Sequence, residues 1–157
     1  MKEKSAMSDN SMGSIIFQYF PYLSEKYEFE IIEEKKFHNF GNWVVVLKSN
    51  SGCRIRILYD RGEIQLSFGP NWFPSGWESG PWFSLNFILF YLDESSENLS
   101  NSYKDLEDQL AKISELLERK INKICRLFES ENFKKNRIEL EIMQKKYEQN
   151  IWDSLIQ

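Results

Sequence analysis

The chain has 157 residues, 41% hydrophobic and 15% aromatic, enough for one domain with a packed core. Its net charge of −4 is evenly spread: residues 1–93 carry nine Lys/Arg against eleven Asp/Glu and residues 94–157 eleven against thirteen, which excludes the basic footprint of a nucleic-acid binder. Residues 1–13 lack the apolar run of a signal peptide, and the longest apolar stretch, FILFYL at 87–92, is too short to cross a bilayer; the expectation is a cytoplasmic protein with no membrane partner and with Cys53 and Cys125 reduced.

Residues 1–12 are polar and are expected to be disordered. From Gly13, Ile16, Phe17, Phe20 and Leu23 recur at helical spacing, and Pro21, which has no amide hydrogen, is expected to kink or restart the helix. Residues 27–36 alternate Tyr27, Phe29 and Ile31 against Glu28 and Glu30, as a strand does. WVVVLKS at 43–49 is β-branched and apolar on both faces, which suits an interior strand. CRIRILYD at 53–60 largely alternates, with Cys53, Ile55, Ile57 and Tyr59 expected inward and Arg54 and Arg56 outward.

The next strand, running to Gly69-Pro70, sets a register. If Tyr59 faces Ile64, then Ile57 faces Leu66 and Ile55 faces Phe68, whereas a slip of one residue would bury Gln65 against Ile57. A two-residue loop, Arg61-Gly62, or a four-residue loop, Asp60 to Glu63, gives that register, with Gly62 supplying the positive φ of a tight bend.

A Gly/Pro-rich loop, NWFPSGWESGP, leads into WFSLNFILFYL at 82–92, which reads as a buried helix, and ESSENLSNS at 94–102 is a polar connector. From Leu99, apolar residues recur at Tyr103, Leu106, Leu110, Ile113, Leu117, Ile121, Ile124 and Phe128, a heptad-like series with one extra four-residue step. SENFKK at 130–135 interrupts it. A second amphipathic helix carries Ile138, Ile142, Met143, Tyr147, Ile151 and Trp152. The expected architecture is α+β: helix, four-stranded antiparallel meander, helix, then a long helical hairpin. The segments are 1–12, a core over 13–93, and a hairpin over 94–157 that packs on the core or extends from it.

No catalytic constellation emerges. The lone His38 lies in a loop, Glu28, Glu30, Glu33 and Glu34 read as a solvated face, and both cysteines sit beside apolar positions, where a thiol acts as a small hydrophobe. There is no Gly-rich phosphate loop and no clustered set of metal ligands, so neither cofactor nor metal is expected. Two features suggest binding instead. Arg54 and Arg56 share a hairpin with Asp60, Arg61 and Glu63, which reads either as cross-strand charge pairing or as a polar docking face. Trp72, Phe73 and Trp77 crowd a Gly/Pro loop, as binding anchors do, unless the loop folds over the sheet and buries them.

The series IIFQYFPYLSEKYEFEII, FGNWVVVL, CRIRILYDRGEIQLSFGP and WFSLNFILFYL resembles a group of small uncharacterised bacterial proteins, some of which look like immunity factors encoded beside the toxins they neutralise. The resemblance covers residues 15–92 and stops before the helical hairpin. Together with the missing catalytic constellation and the mild acidity, it points to a non-enzymatic binding protein, a monomer or weak homodimer, that blocks a partner such as a bacterial toxin by occlusion, a rigid sheet and loop presenting Trp and Arg anchors. The competing expectation is an oligomerising adaptor that uses the helices of 99–152 as a coiled-coil arm.

Overall fold

The computed structural model describes residues 11–38, 41–50, 52–72, 77–78, 80–92 and 103–156. Residues 1–10, Phe73, Leu99 and the connector over 94–102 lie outside them. Helix α1 (Met12–Tyr19) begins earlier than the polar sequence suggests, because the Ser11 hydroxyl accepts the Ser14 N–H at 3.0 Å and caps it. It ends at Phe20, and Pro21 restarts the chain as the first residue of α2 (Pro21–Glu25), where its missing N–H costs nothing.

Strand β1 (Glu30–Lys36) starts later than expected. Glu28 takes a positive φ of 57°, and Phe29 turns inward and donates its N–H to the Leu23 carbonyl at 2.8 Å. A bulge between Ile31 and Glu33 shifts the register and leaves Ile32 39% exposed. Strand β2 (Trp43–Lys48) is interior, and Val44, Val45, Val46 and Leu47 are all fully buried. Strands β3 (Cys53–Asp60) and β4 (Glu63–Pro70) pair as the hydrophobic pattern requires, with Tyr59 opposite Ile64, Ile57 opposite Leu66 and Ile55 opposite Phe68. The bend is the two-residue loop. Arg61 and Gly62 have φ of 52° and 88°, the left-handed pair that matches strand twist. Asn42 holds Arg61 in that conformation: its Oδ1 accepts the Arg61 N–H at 3.0 Å while its Nδ2 donates to Asp60 at 2.9 Å.

A fifth strand is added to the expected four. Strand β5 (Phe83–Ser84) pairs with β4, and the strands lie in sequence order. The apolar helix is therefore shorter than 82–92. Ser84 caps α3 (Leu85–Tyr91) by accepting the Phe87 N–H at 3.2 Å.

Helix α4 (Leu106–Phe128) starts at Asp105, whose carboxylate accepts the Asp108 N–H at 2.9 Å. Its stripe from Leu110 through Ile113, Leu117, Ile121 and Ile124 to Phe128 is buried, and Leu116 joins it. These side chains form one core with Ile16, Leu23, Trp43, Val45, Leu47, Ile55, Ile57, Leu66, Phe68 and the buried face of α3. Polar ties fix the helix in place. The Gln109 side chain accepts the Ile64 N–H at 2.9 Å and donates to the Gly62 carbonyl at 2.6 Å. The Tyr22 hydroxyl donates to the Ser114 carbonyl at 2.8 Å.

The expected interruption over 130–135 is confined to Glu129, whose extended backbone (ψ 143°) ends α4; helix α5 (Ser130–Ile156) begins at the next residue. Within that polar stretch Phe133 is fully buried, with ring centroids 5.8 Å from Phe128 and 6.3 Å from Phe83. It pins the hairpin to the core.

Candidate protein-binding site

Strand alternation does place Arg54 and Arg56 on the face opposite Ile55 and Ile57, but that face is covered. Cross-strand pairing aligns Glu33, Val46, Arg56 and Ser67 in one row. Trp77 crosses this row: its N–H donates to Glu33 Oε1 at 2.8 Å, and its carbonyl accepts from Arg56 at 2.9 Å. Arg56 also donates to the Ser67 hydroxyl at 3.3 Å. The Trp82 ring lies 4.5 Å from the Arg54 guanidinium and 4.9 Å from that of Arg56, so an aromatic face takes the place of water on both cations. Arg54 is 0% exposed and donates Nε–H to the Pro70 carbonyl at 3.1 Å. Burial, and then Arg56 beside it, pulls the Arg54 guanidinium below its usual range; burial does the same to Arg56.

The expectation of an outward Arg54 is thus corrected. The period of a strand says on which side a residue lies, not whether another segment covers that side. Trp77 belongs to the same layer. It is half-buried and edge-on to Phe37, with centroids 5.3 Å apart and the Lys35 ammonium 5.8 Å from its ring. Glu33 and Glu34 are likewise engaged, since Glu34 accepts the Gly13 N–H at 3.1 Å.

The bend residues form an ordinary solvated turn. Arg61 and Asp60 make an ion pair at 3.8 Å with 75% and 38% of their side chains exposed, a geometry that contributes little. Glu63 is exposed at the rim of a groove of about 440 Å³ beside β4. The groove's polar lining includes Gln65, Ser67, Ser84, Asn86 and Gln109, together with Tyr103, whose phenol burial pushes up. Such groups hydrogen-bond, but they do not make an acid/base pair near neutral pH.

The surface that the sequence pattern obscures is the outer side of α5. The expected single stripe divides. Met143 and Tyr147 pack inward with Phe133 and Leu140, and the Tyr147 ring sits 5.8 Å from Phe87 and 5.2 Å from Phe90. Ile138, Ile142, Ile151 and Trp152 instead face water at 72%, 51%, 45% and 58% exposure, joined by Leu155 at 72% and Ile156 at 65%. Residues four apart stack on one helix face, so Ile138 lies beside Ile142 and Trp152 beside Ile156 on the outer side, whereas Ile151, four residues after Tyr147, continues the inward line toward Leu155 and is exposed all the same. Exposed Lys135, Lys145 and Lys146 flank them. At the root of the helix, Trp72 is 45% exposed and edge-on to Phe133 at 6.0 Å. The readable signal was the excess: α5 carries more large apolar residues than one buried stripe can hold.

Among the described residues no helix is long and apolar enough to cross a membrane, and no group of three or more His, Cys, Asp or Glu is placed to hold a metal ion. Comparison with family models, with curated proteins and with solved structures found no match to this chain.

Proposed function

We propose that the chain is a non-enzymatic protein-binding protein that works in the cytoplasm by occlusion, with the outer face of α5 as its contact surface. The observation that carries this reading is the set of large apolar side chains on the outer face of that helix, Ile138, Ile142, Trp152 and Ile156, 51–72% exposed. Scattered apolar residues are normal on a surface, but a grouped set is a mark of an interaction site. Anchors spaced four apart suit a helix laid into an apolar groove, and exposed charges of both signs, Lys135, Lys145 and Lys146 with Glu139, Glu148 and Asp153, surround them. A toxin whose working surface is such a groove fits the resemblance to immunity factors.

A second reading rests on the spacing. Ile138 and Ile156, and likewise Ile142 and Trp152, are symmetric about Tyr147. Two copies of α5 packed antiparallel would therefore match Ile138 to Ile156 and Ile142 to Trp152 twice over, the self-complementarity a two-fold interface needs. This is the oligomerising adaptor.

Sedimentation of the full chain, beside affinity capture with wild type and Ile142→Lys, separates the readings. Occlusion predicts a monomer at micromolar concentration and a captured protein that is lost with Ile142→Lys while the melting curve is unchanged. A dimer that Ile142→Lys dissociates favours the adaptor. Capture indifferent to the substitution removes α5 as the contact surface.

A further inference from the structure

Cys53 opens β3 fully buried, and Cys125 lies half-exposed near the end of α4; both are free thiols. Far apart in sequence, they meet in the fold: Cys53 is part of the buried core and Cys125 packs against that core. Burial, followed by the neighbouring Cys125, holds the Cys53 thiol well above its usual range. The residue before Cys53 locates the meeting: a Cβ on Gly52 would stand in ordinary contact, 3.4 Å, with both Cβ and Sγ of Cys125, its one close approach being 2.7 Å to Ser49 Oγ. The contact thus joins the first residue of an interior strand to the helix that covers the sheet.

We infer that Cys53 and Cys125 are a disulfide modification site, converted by a small-molecule disulfide such as oxidised glutathione into an intramolecular bond between β3 and α4. Cys125, the accessible member, reacts first. Its thiolate sulfur attacks one sulfur of the reagent, the reagent's S–S bond breaks, one glutathione leaves as a thiolate that takes up a proton, and a mixed disulfide remains on Cys125. Cys53 then loses its proton and attacks the Cys125 sulfur, expelling the second glutathione. Two protein thiols are oxidised and one small disulfide is reduced to two thiols. Because burial favours the protonated Cys53, the second step is the slow one at neutral pH and quickens as pH rises. The cross-link closes a loop of roughly 70 residues, which restricts the unfolded chain and raises Tm by on the order of 10 °C. None of this depends on what the chain binds.

The test uses the full-length protein incubated with oxidised glutathione, followed by peptide mapping without reduction and by a melting curve. The expected result is a Cys53–Cys125 linked peptide in a monomeric chain, a higher Tm, and reversal of both by dithiothreitol. Cys53→Ala, which removes the resolving thiol, is expected to stop at a single glutathione on Cys125. Cys125→Ser is expected to leave Cys53 unmodified for as long as the protein is folded. Wild-type protein that carries stable glutathione adducts without the internal link, that links only between chains, or that keeps both thiols under conditions oxidising a solvent-exposed dithiol peptide overturns the assignment.

Discussion

Replacing Gln109 by Leu tests how α4 is held against the hairpin. The Gln109 amide behaves as one more residue of a strand. It accepts the outward N–H of Ile64 at 2.9 Å and donates to the Gly62 carbonyl at 2.6 Å, and the residue is 7% exposed. Leu fills a similar volume but leaves the Ile64 N–H without an acceptor in a buried position, at a cost of about 1–3 kcal/mol. Gly62 is exposed, so its carbonyl regains a bond to water and adds little. The expected loss is about 2 kcal/mol, or roughly 4–8 °C in Tm for a chain of this size. Gln109→Glu sharpens the test. Its carboxylate keeps the acceptor for Ile64 but sets an oxygen against the Gly62 carbonyl; the protonated acid restores the donor. The folded state therefore raises that carboxyl's pKa, so its deficit should be full at neutral pH and shrink as pH falls through the carboxylate range. Urea unfolding of the three proteins at neutral and acid pH measures both effects. A Gln109→Leu protein within about 0.5 kcal/mol of wild type would refute the reasoning, because that is the size of an ordinary surface change.

Phe133→Ala should destabilise by about 3–5 kcal/mol through the cavity it leaves. Ile138→Ala, at a position 72% exposed, should stay within about 0.5 kcal/mol; equal losses in denaturant titrations would mean that α5 is not seated as described. Trp82 has a buried indole N–H with no hydrogen-bond partner among the described residues, so Trp82→Phe, which keeps an aromatic face for Arg54 and Arg56, should cost far less than Trp82→Ala, expected at about 3–5 kcal/mol; thermal melts decide it. Burial, then the hydrogen bond to Glu139, pushes Tyr91 up from 10.0 to about 12. A raised phenol pKa adds stability that is whole below the unfolded value and is lost as pH climbs through the folded one. Stability measured from about pH 9 to 12 should therefore fall more steeply in wild type than in Tyr91→Phe.

The β3–β4 register was legible because the apolar alternation there is nearly unbroken and a slip of one residue buries Gln65. The α4 stripe was legible for the same reason at helical period. Strand β5 was not, since two residues are too few to show a period, and Phe83 reads equally well as part of the apolar helix that follows. Phe133 was hidden as a lone aromatic among polar helix formers. The outward reading of Arg54 failed because its cover is chain from beyond the sheet, with Trp82 stacked on it by a contact no local spacing encodes. The meeting of Cys53 and Cys125 is likewise purely tertiary. On α5 the pattern predicted a helix but not the split of its apolar residues, because where a long helix leaves the core depends on the extent of the body it packs against.

The central claim is that the outer face of α5 is a contact surface. Its most direct test is the affinity of the captured partner for wild type and for Trp152→Lys, with melting curves run on both proteins. The account predicts unchanged melts, since Trp152 is 58% exposed, and binding weakened by roughly 30-fold or more, the effect of losing an anchor worth about 2 kcal/mol. Equal affinity for the two proteins, at equal stability, would contradict it.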